Sequence, residues 1–273
     1  MTKRRHKKRP RNIIYKTWNI IDQLKFRMKI IPQGLVIASG ADSTHFKSLV
    51  QFIGTVNMYE PHSHLVIFDL GLSRQESSYL KEIYPNIDYR IFDYNRYPSY
   101  FNIKVQSGQY AWKPVIIWNV LTEFKDSVVW FDAGCILTQP LFRIRKVLDK
   151  YGFYSPVASF SGSIKRWTHP GTVKFLNCDN SLLEERQLAG TVVGFKWNKS
   201  AVLELANKWK ECALIKECIA PAGSTRDNHR QDQAILAILA YQHGLAQKIP
   251  QRFLGFKIHQ DIDQAEVILD NIP

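Results

Sequence analysis

The sequence predicts an α/β fold: a mostly parallel sheet flanked by helices, in a single domain. Three observations carry this. Short strand-forming runs recur, each ending in or near an Asp: Leu35-Val36-Ile37-Ala38 before Asp42, Leu65-Val66-Ile67-Phe68 before Asp69, Tyr89-Arg90-Ile91-Phe92 before Asp93, and Val128-Val129-Trp130-Phe131 before Asp132. Apolar positions at helical spacing, such as Phe46, Leu49, Val50 and Ile53, lie between strands. This strand–helix alternation implies parallel strands with helices on both faces.

Taken in order, the second strand leads into Gly71-Leu72-Ser73, where Ser73 and Glu76 form a capping box for a helix. Pro114 suits the first turn of a helix running to about Phe124. In the second half a helix over residues 141–150 closes at Gly152, and strands are expected over residues 153–159 and 190–195. A helix over residues 199–218 places Ala201, Leu205, Trp209 and Ala213 on one stripe. A polar loop over residues 220–230 precedes a helix over residues 231–243, closed by Gly244.

Of the 273 residues, 45% are hydrophobic and 22% charged, an ordinary globular composition. No apolar run approaches the ~20 residues that span a bilayer. Asp22, Lys25, Arg27 and Lys29 interrupt any apolar core of a secretory signal. Residues 1–29 hold eleven Lys/Arg against one acid, a net +10 of the total +13, so the body is nearly neutral. A nearly neutral body argues against nucleic acid as its partner, although the tail alone keeps that class open. Residues 13–31 carry an apolar stripe (Ile13, Ile14, Trp18, Ile21, Leu24, Met28) beside basic residues, a pattern suited to an anionic membrane surface or to docking on the body. The expected organisation is an extension over residues 1–31 and a domain over residues 32–273. Cys135, Cys178, Cys212 and Cys218 form no CxxC pair, and six residues of helix would point Cys212 and Cys218 apart. Reduced thiols and a cytoplasmic location, peripheral to the inner face of a membrane, are expected.

Walker, GxGxxG and GxSxG motifs are absent, which disfavours P-loop NTPases, standard dehydrogenases and α/β-hydrolases. The most informative segment is Ser127-Val128-Val129-Trp130-Phe131-Asp132-Ala133-Gly134-Cys135-Ile136-Leu137. A buried strand there delivers an Asp followed by small residues that let a ligand approach the backbone. Such a carboxylate can ligate a divalent cation that neutralises a diphosphate.

With Leu188-Ala189-Gly190-Thr191-Val192-Val193-Gly194-Phe195, Arg230-Gln231-Asp232-Gln233-Ala234-Ile235-Leu236 and His259 following in that order, the chain resembles nucleotide-sugar-dependent glycosyltransferases of the GT-A type. The nearest resemblance is to the group of glycogenin and the lipopolysaccharide galactosyl- and glucosyltransferases, over residues 34–262. The runs Phe68-Asp69-Leu70-Gly71-Leu72-Ser73 and Tyr110-Ala111-Trp112-Lys113-Pro114 also resemble a related domain family of unassigned function.

The resemblance implies a GT-A-like, Rossmann-like sheet and transfer of a sugar from a nucleotide-diphosphate sugar, UDP-linked, to a saccharide or lipid-linked acceptor, leaning toward retention. It implies Mn²⁺ or Mg²⁺ on Asp132 and His259. Lys113 would act at the phosphate or sugar, with Asp232 and Gln233 beside the reactive carbon. Ser39, Asp42, Thr44, Asp69, Ala189, Gly190, Thr191 and Arg230 would contact substrate. Each has an ordinary structural alternative: strand-end Asp residues begin turns, and a lone His is commonly a packing residue. One departure matters. The family has a second acid where this chain has Gly134, which puts the cation in doubt unless Asp261 completes its shell. Lys113 or Arg230 could meet the diphosphate instead. The same departure keeps open a catalytically inert protein that binds a nucleotide sugar or glycan.

Overall fold

The computed structural model describes residues 21, 34–158, 162–247, 249, 251 and 254–263. The first half comprises β1 (Val36–Ala41), α1 (Phe46–Tyr59), β2 (His64–Asp69), α2 (Arg74–Ile83), β3 (Asp88–Ile91), α3 (Trp112–Phe124) and β4 (Ser127–Phe131). There follow β5 (Ile136–Leu137), α4 (Phe142–Tyr151), β6 (Phe153–Tyr154), α5 (Ile164–Trp167), α6 (Pro170–Phe175), β7 (Val192–Lys196), α7 (Ser200–Ala213), α8 (Lys216–Ile219), α9 (Gln231–Gln242) and β8 (Phe256–Lys257).

Six strands form one sheet in the order β3-β2-β1-β4-β7-β6, and β5 and β8 form a separate pair. The neighbours among β3, β2, β1 and β4 are parallel, as the alternation predicts. Strands β7 and β6 join antiparallel at the β4 side. The pleat sends alternate residues to opposite faces. Val36, Ala38, Val66, Phe68, Val128 and Trp130 thus pack against α3, α7 and α9 on one face. Ile37, Ile67, Val129 and Phe131 pack with α1 and α4 on the other. Both faces are covered, which is why β1 and β4 read as unbroken apolar runs rather than alternating ones.

Local signals settle several element ends. Ser73 Oγ accepts the backbone N–H of Glu76, and Glu76 bonds back to the Ser73 N–H, so the expected capping box is present. Gly152 ends α4 at φ 80°, a left-handed cap that favours glycine. The strands expected over residues 153–159 and 190–195 are shorter or shifted, ending at Tyr154 and starting at Val192.

The helix expected over residues 199–218 is corrected. It breaks after Ala213, Ile215 takes an extended conformation, and α8 restarts at Lys216. The break also corrects the expectation for the thiols. Cys212 and Cys218 lie with Cα atoms 5.4 Å apart and form a disulfide, because the turn between the helices brings together two residues that one continuous helix would point apart.

The basic tail and the stripe of residues 13–31 lie outside the described residues, Ile21 excepted. Among the described residues, no helix is long and apolar enough to cross a membrane.

Candidate active site

Parallel α/β sheets present loops at the carboxyl ends of their strands, and a two-lobed cleft lies there. Its first lobe, about 260 Å³, is lined by residues at the end of β1 and just beyond it (Gly40, Ala41, Asp42, Thr44, His45) and by Asp132, Ala133, Gly134 and Asp261. Its second lobe, about 270 Å³, is lined by Ala158, Ala189, Gly190, Arg226, Arg230, Asp232 and Gln233. Tyr110, Lys113, Asp132, Thr191 and His259 line both, so the lobes meet at these residues.

Lys113 stands at that junction. Its ammonium lies 2.8 Å from Asp132 Oδ1 and 3.7 Å from Asp232 Oδ2, and donates to the Gly190 carbonyl at 3.2 Å. Its side chain is only 4% exposed. Burial works against its charge, but the charges of Asp132 and Asp232 outweigh it and hold the ammonium above its ordinary value. Tyr110, Trp112 and Trp130 surround the ammonium with ring centroids 5.8 Å away.

The chain reaches Lys113 through an unusual turn. Gln106, Ser107, Gly108, Gln109 and Tyr110 all have φ between 48° and 59°. Left-handed conformation is costly for every residue here except glycine. A Cβ on Gly108 would strike the Phe101 carbonyl, so only glycine fits its centre. The indole of Trp112 donates to the Ser107 carbonyl at 3.1 Å and ties the turn to the start of α3. The turn sets Ser107 and Tyr110 into the cleft wall.

Asp132 ends β4, where its Oδ1 also accepts the Trp130 indole N–H at 2.7 Å. Asp232 sits in the first turn of α9 and is 3% exposed. Burial, with the charge of Asp132 adding to it against the opposing Lys113, pushes its carboxyl up to about 6. Among the described residues its Oδ2 accepts no hydrogen bond, and the side-chain Nε2 of Gln233 donates none. A Cβ placed on Gly190 would stand 3.2 Å from Asp232 Oδ2 and 3.8 Å from Lys113 Nζ. The absence of a side chain at 190 lets its backbone pass close to both charges.

In the first lobe, Asp42 Oδ1 accepts from the Thr44 backbone at 3.1 Å and lies 3.3 Å from His45 Nδ1. The His45 bond, with that of Thr44, holds the Asp42 carboxyl below its ordinary range against partial burial. His45 is raised in turn, first by its bond to Asp42 and then, against burial, by the charges of Asp42, Asp261 and Asp132.

Of the residues singled out in the sequence, Asp42, Thr44, Lys113, Asp132, Ala189, Gly190, Thr191, Arg230, Asp232, Gln233 and His259 are brought together around the cleft. Two are not. Ser39 is fully buried inside the sheet. Asp69 is consumed by its own turn: Oδ1 accepts the Gly71 and Leu72 N–H groups, and Oδ2 accepts the Ser77 and Tyr89 hydroxyls. The structure adds Tyr110, His45 and Arg226, which sequence reading did not single out. The only sequence signal for His45 is its place in the polar turn after β1.

The donor set for a divalent cation is incomplete. Asp132 Oδ1 is committed to Lys113 and Trp130. At the position of the family's second acid, Gly134 packs so closely that a Cβ would collide with the Asp261 carboxylate. Among the described residues no group of three or more His, Cys, Asp and Glu is placed to hold a metal. The Asp261 carboxylate stands where a side chain at position 134 would project, and Asp132, His259 and Asp261 are the residues of this lobe that would hold a Mn²⁺ or Mg²⁺, although they stop short of three ligands around one point.

Residues 13–118 match the model of a family described as proteins of unknown function, DUF1647. No curated protein matches the chain in sequence. Among solved structures, the core-mannan synthase A of Aspergillus fumigatus, in an Mn/GDP form, superposes with a TM-score of 0.54 at 9% identity, over 83% of this chain and 74% of that one. The chain has the GT-A fold. The galactosyltransferase LgtC, in complex with donor and acceptor sugar analogs, gives 0.45 at 15% identity over 74% of this chain and 69% of its own. The bifunctional glycosyltransferase WbbM gives 0.47 at 13% identity over 77% of this chain, which spans 38% of that protein.

Proposed function

We propose that this chain is a glycosyltransferase that moves a sugar from a nucleotide-diphosphate sugar, UDP-linked, to a saccharide or lipid-linked acceptor. The observation that carries the reading is the buried Asp132–Lys113–Asp232 array at the junction of the two lobes. A cation held between two carboxylates and ringed by aromatics, at the wall shared by the two lobes, is suited to a reaction in which negative charge moves.

The first lobe takes the nucleotide, with Asp42 and Thr44 at the end of β1. The diphosphate lies against Lys113. As the bond between the sugar's reactive carbon and the diphosphate oxygen breaks, its electron pair passes to that oxygen, and the ammonium stabilises the growing charge. Positive charge grows on the sugar ring in the same step. The Asp232 carboxylate, with no hydrogen bond at Oδ2, faces it, and Gln233 offers an amide N–H to a sugar hydroxyl. The acceptor hydroxyl oxygen then bonds to the carbon, and its proton leaves to the departing diphosphate or to solvent. Charge neutralisation is assigned to Lys113, whose buried ammonium already lies between the lobes, with Asp132 Oδ1 engaged by it and by Trp130. The +10 extension serves to hold the enzyme at an anionic membrane that carries its acceptor.

Calorimetry of UDP and GDP with the full chain, with and without Mn²⁺, tests the reading. Saturable UDP binding of similar strength in the presence of chelator is expected. Binding of neither nucleotide in either condition contradicts a nucleotide-sugar donor.

A further inference from the structure

We propose that the Cys212–Cys218 disulfide is a redox-sensitive latch on the segment that presents Asp232: the oxidised chain is the active form, and reduction of this one bond lowers its turnover. The inference rests on the glycosyltransferase reading for the turnover, and on the hydrogen bonds around the disulfide for the latch.

The segment from His229 to Asp232 enters α9 through a strained residue. Gln231 has φ 36°, a left-handed conformation that is costly for a non-glycine residue and persists only where its surroundings hold it. Two buried hydrogen bonds grip the segment, one on each side of Gln231. The Trp209 indole donates to the Asp232 carbonyl at 2.8 Å. His229 Nδ1 accepts the His169 N–H at 3.2 Å, so its proton sits on Nε2, which donates to the Ile219 carbonyl at 2.9 Å.

These two struts stand on opposite sides of the disulfide. Trp209 lies on α7, three residues before Cys212 and on the same helix face. Ile219 follows Cys218 at the end of α8. The cross-link holds the two Cα atoms 5.4 Å apart and so fixes the spacing of the struts. Without it, α8 is a single turn of four residues behind the extended Ile215, too short to keep that spacing by itself. Gln231 can then relax, and Asp232 leaves its place 3.7 Å from Lys113 Nζ.

Reduction is a thiol–disulfide exchange with a dithiol. One thiolate of the dithiol attacks a sulfur of the pair. The Cys212–Cys218 bond breaks, and its electron pair leaves on the other sulfur, which takes a proton. The second thiol then displaces the mixed disulfide, so two electrons and two protons reach the protein and the dithiol ends as its own disulfide. Both half-cystines are buried, at 3% and 0% exposed. The four residues between them that face no such burial, Leu214, Ile215, Lys216 and Glu217, are exposed, and local opening of so short an arch gives a reductant access.

The test compares the full chain, oxidised, with the same chain in dithiothreitol, at a temperature where melts show both folded. Alkylation and mass spectrometry follow the thiols, which should rise from Cys135 and Cys178 to all four cysteines. On reduction kcat for UDP release should fall about tenfold or more, and return when oxidised glutathione closes the bond, while the number of UDP sites and their Kd stay within about twofold. Cys212→Ser with Cys218→Ser should show the low kcat with and without reductant. Turnover unchanged by reduction overturns the proposal, as does a bond that opens only in denaturant. A fall in kcat matched by lost UDP sites overturns it by showing unfolding, and a response that survives in the double variant overturns it by assigning the effect to Cys135 or Cys178. Hydrogen exchange over residues 229–233 separates the latch from the reading, since it should quicken on reduction whether or not a sugar is turned over. If the oxidised chain releases no UDP and exchange still quickens, the glycosyltransferase reading falls and the latch stands. Exchange unchanged by reduction overturns the latch.

Discussion

Lys113 Nζ reaches Asp132 Oδ1 across 2.8 Å and so joins the first turn of α3 to the end of β4. A cation near a helix N-terminus opposes the helix dipole, and here two carboxylates compensate for that placement. Lys113→Met leaves Asp232 buried without its cation. The expected result is a fall in kcat of about 10²–10³-fold, with a stability loss of about 3 kcal/mol. Steady-state turnover and thermal melts check both. A kcat within about twofold of the parent contradicts the role given to Lys113.

Asp232 sets a pH dependence whose sign follows from its environment. Its carboxyl is raised from 3.8 to about 6, by burial first and the charge of Asp132 second. The folded state therefore binds the proton more tightly than the unfolded chain. Its contribution to stability is fully present below about pH 4 and is lost as pH rises through about 6. Activity runs the other way, since the carboxylate form faces the sugar: kcat should climb through about pH 6. Asp232→Asn should remove that limb from the pH–rate profile. A limb unchanged in the Asn variant assigns it to another group.

Gly190→Ala tests the close approach of the backbone to Asp232. The added methyl meets Asp232 Oδ2 at 3.2 Å and Gln233 Cβ at 3.5 Å, within the second lobe. Stability should fall by about 1–2 kcal/mol as the buried Asp232 gives way, while KM for the donor rises about tenfold. An unchanged KM places the sugar elsewhere.

Strands β1, β2 and β4 were legible because both sheet faces are covered, which turns their sequences into apolar runs. The Ser73–Glu76 box and the Gly152 cap were legible because each is a local hydrogen-bond device. Which strand-end Asp faces the cleft was not. Asp42 and Asp69 look alike in sequence, yet Asp69 finds Tyr89 from the next strand and Ser77 from the next helix. The arginine pair was half visible. Arg230 flanks the Asp-Gln motif, whereas Arg226 enters the lobe through the fold of the polar loop and its stacking on Tyr110. The left-handed turn before α3 carries only Gly108 as a sequence signal, and its tie to Trp112 is tertiary.

Helix α7 ends where no Gly or Pro warns of it, and the Cys212–Cys218 link depends on that break. Closing so short a loop should contribute about 2 kcal/mol. Reduction, or Cys212→Ser with Cys218→Ser, should lower Tm accordingly, read by melts with and without reductant. An identical Tm in both conditions contradicts a link that closes in solution.

The most direct measurement of the central claim is release of UDP from a panel of UDP-sugars by the full chain, with chelator and with Mn²⁺. The account predicts release from at least one sugar, by hydrolysis or by transfer to added saccharide, that persists in chelator and collapses in Lys113→Met. UDP that binds while none of the panel is turned over in either condition would make the chain a nucleotide-sugar binding protein and contradict the account.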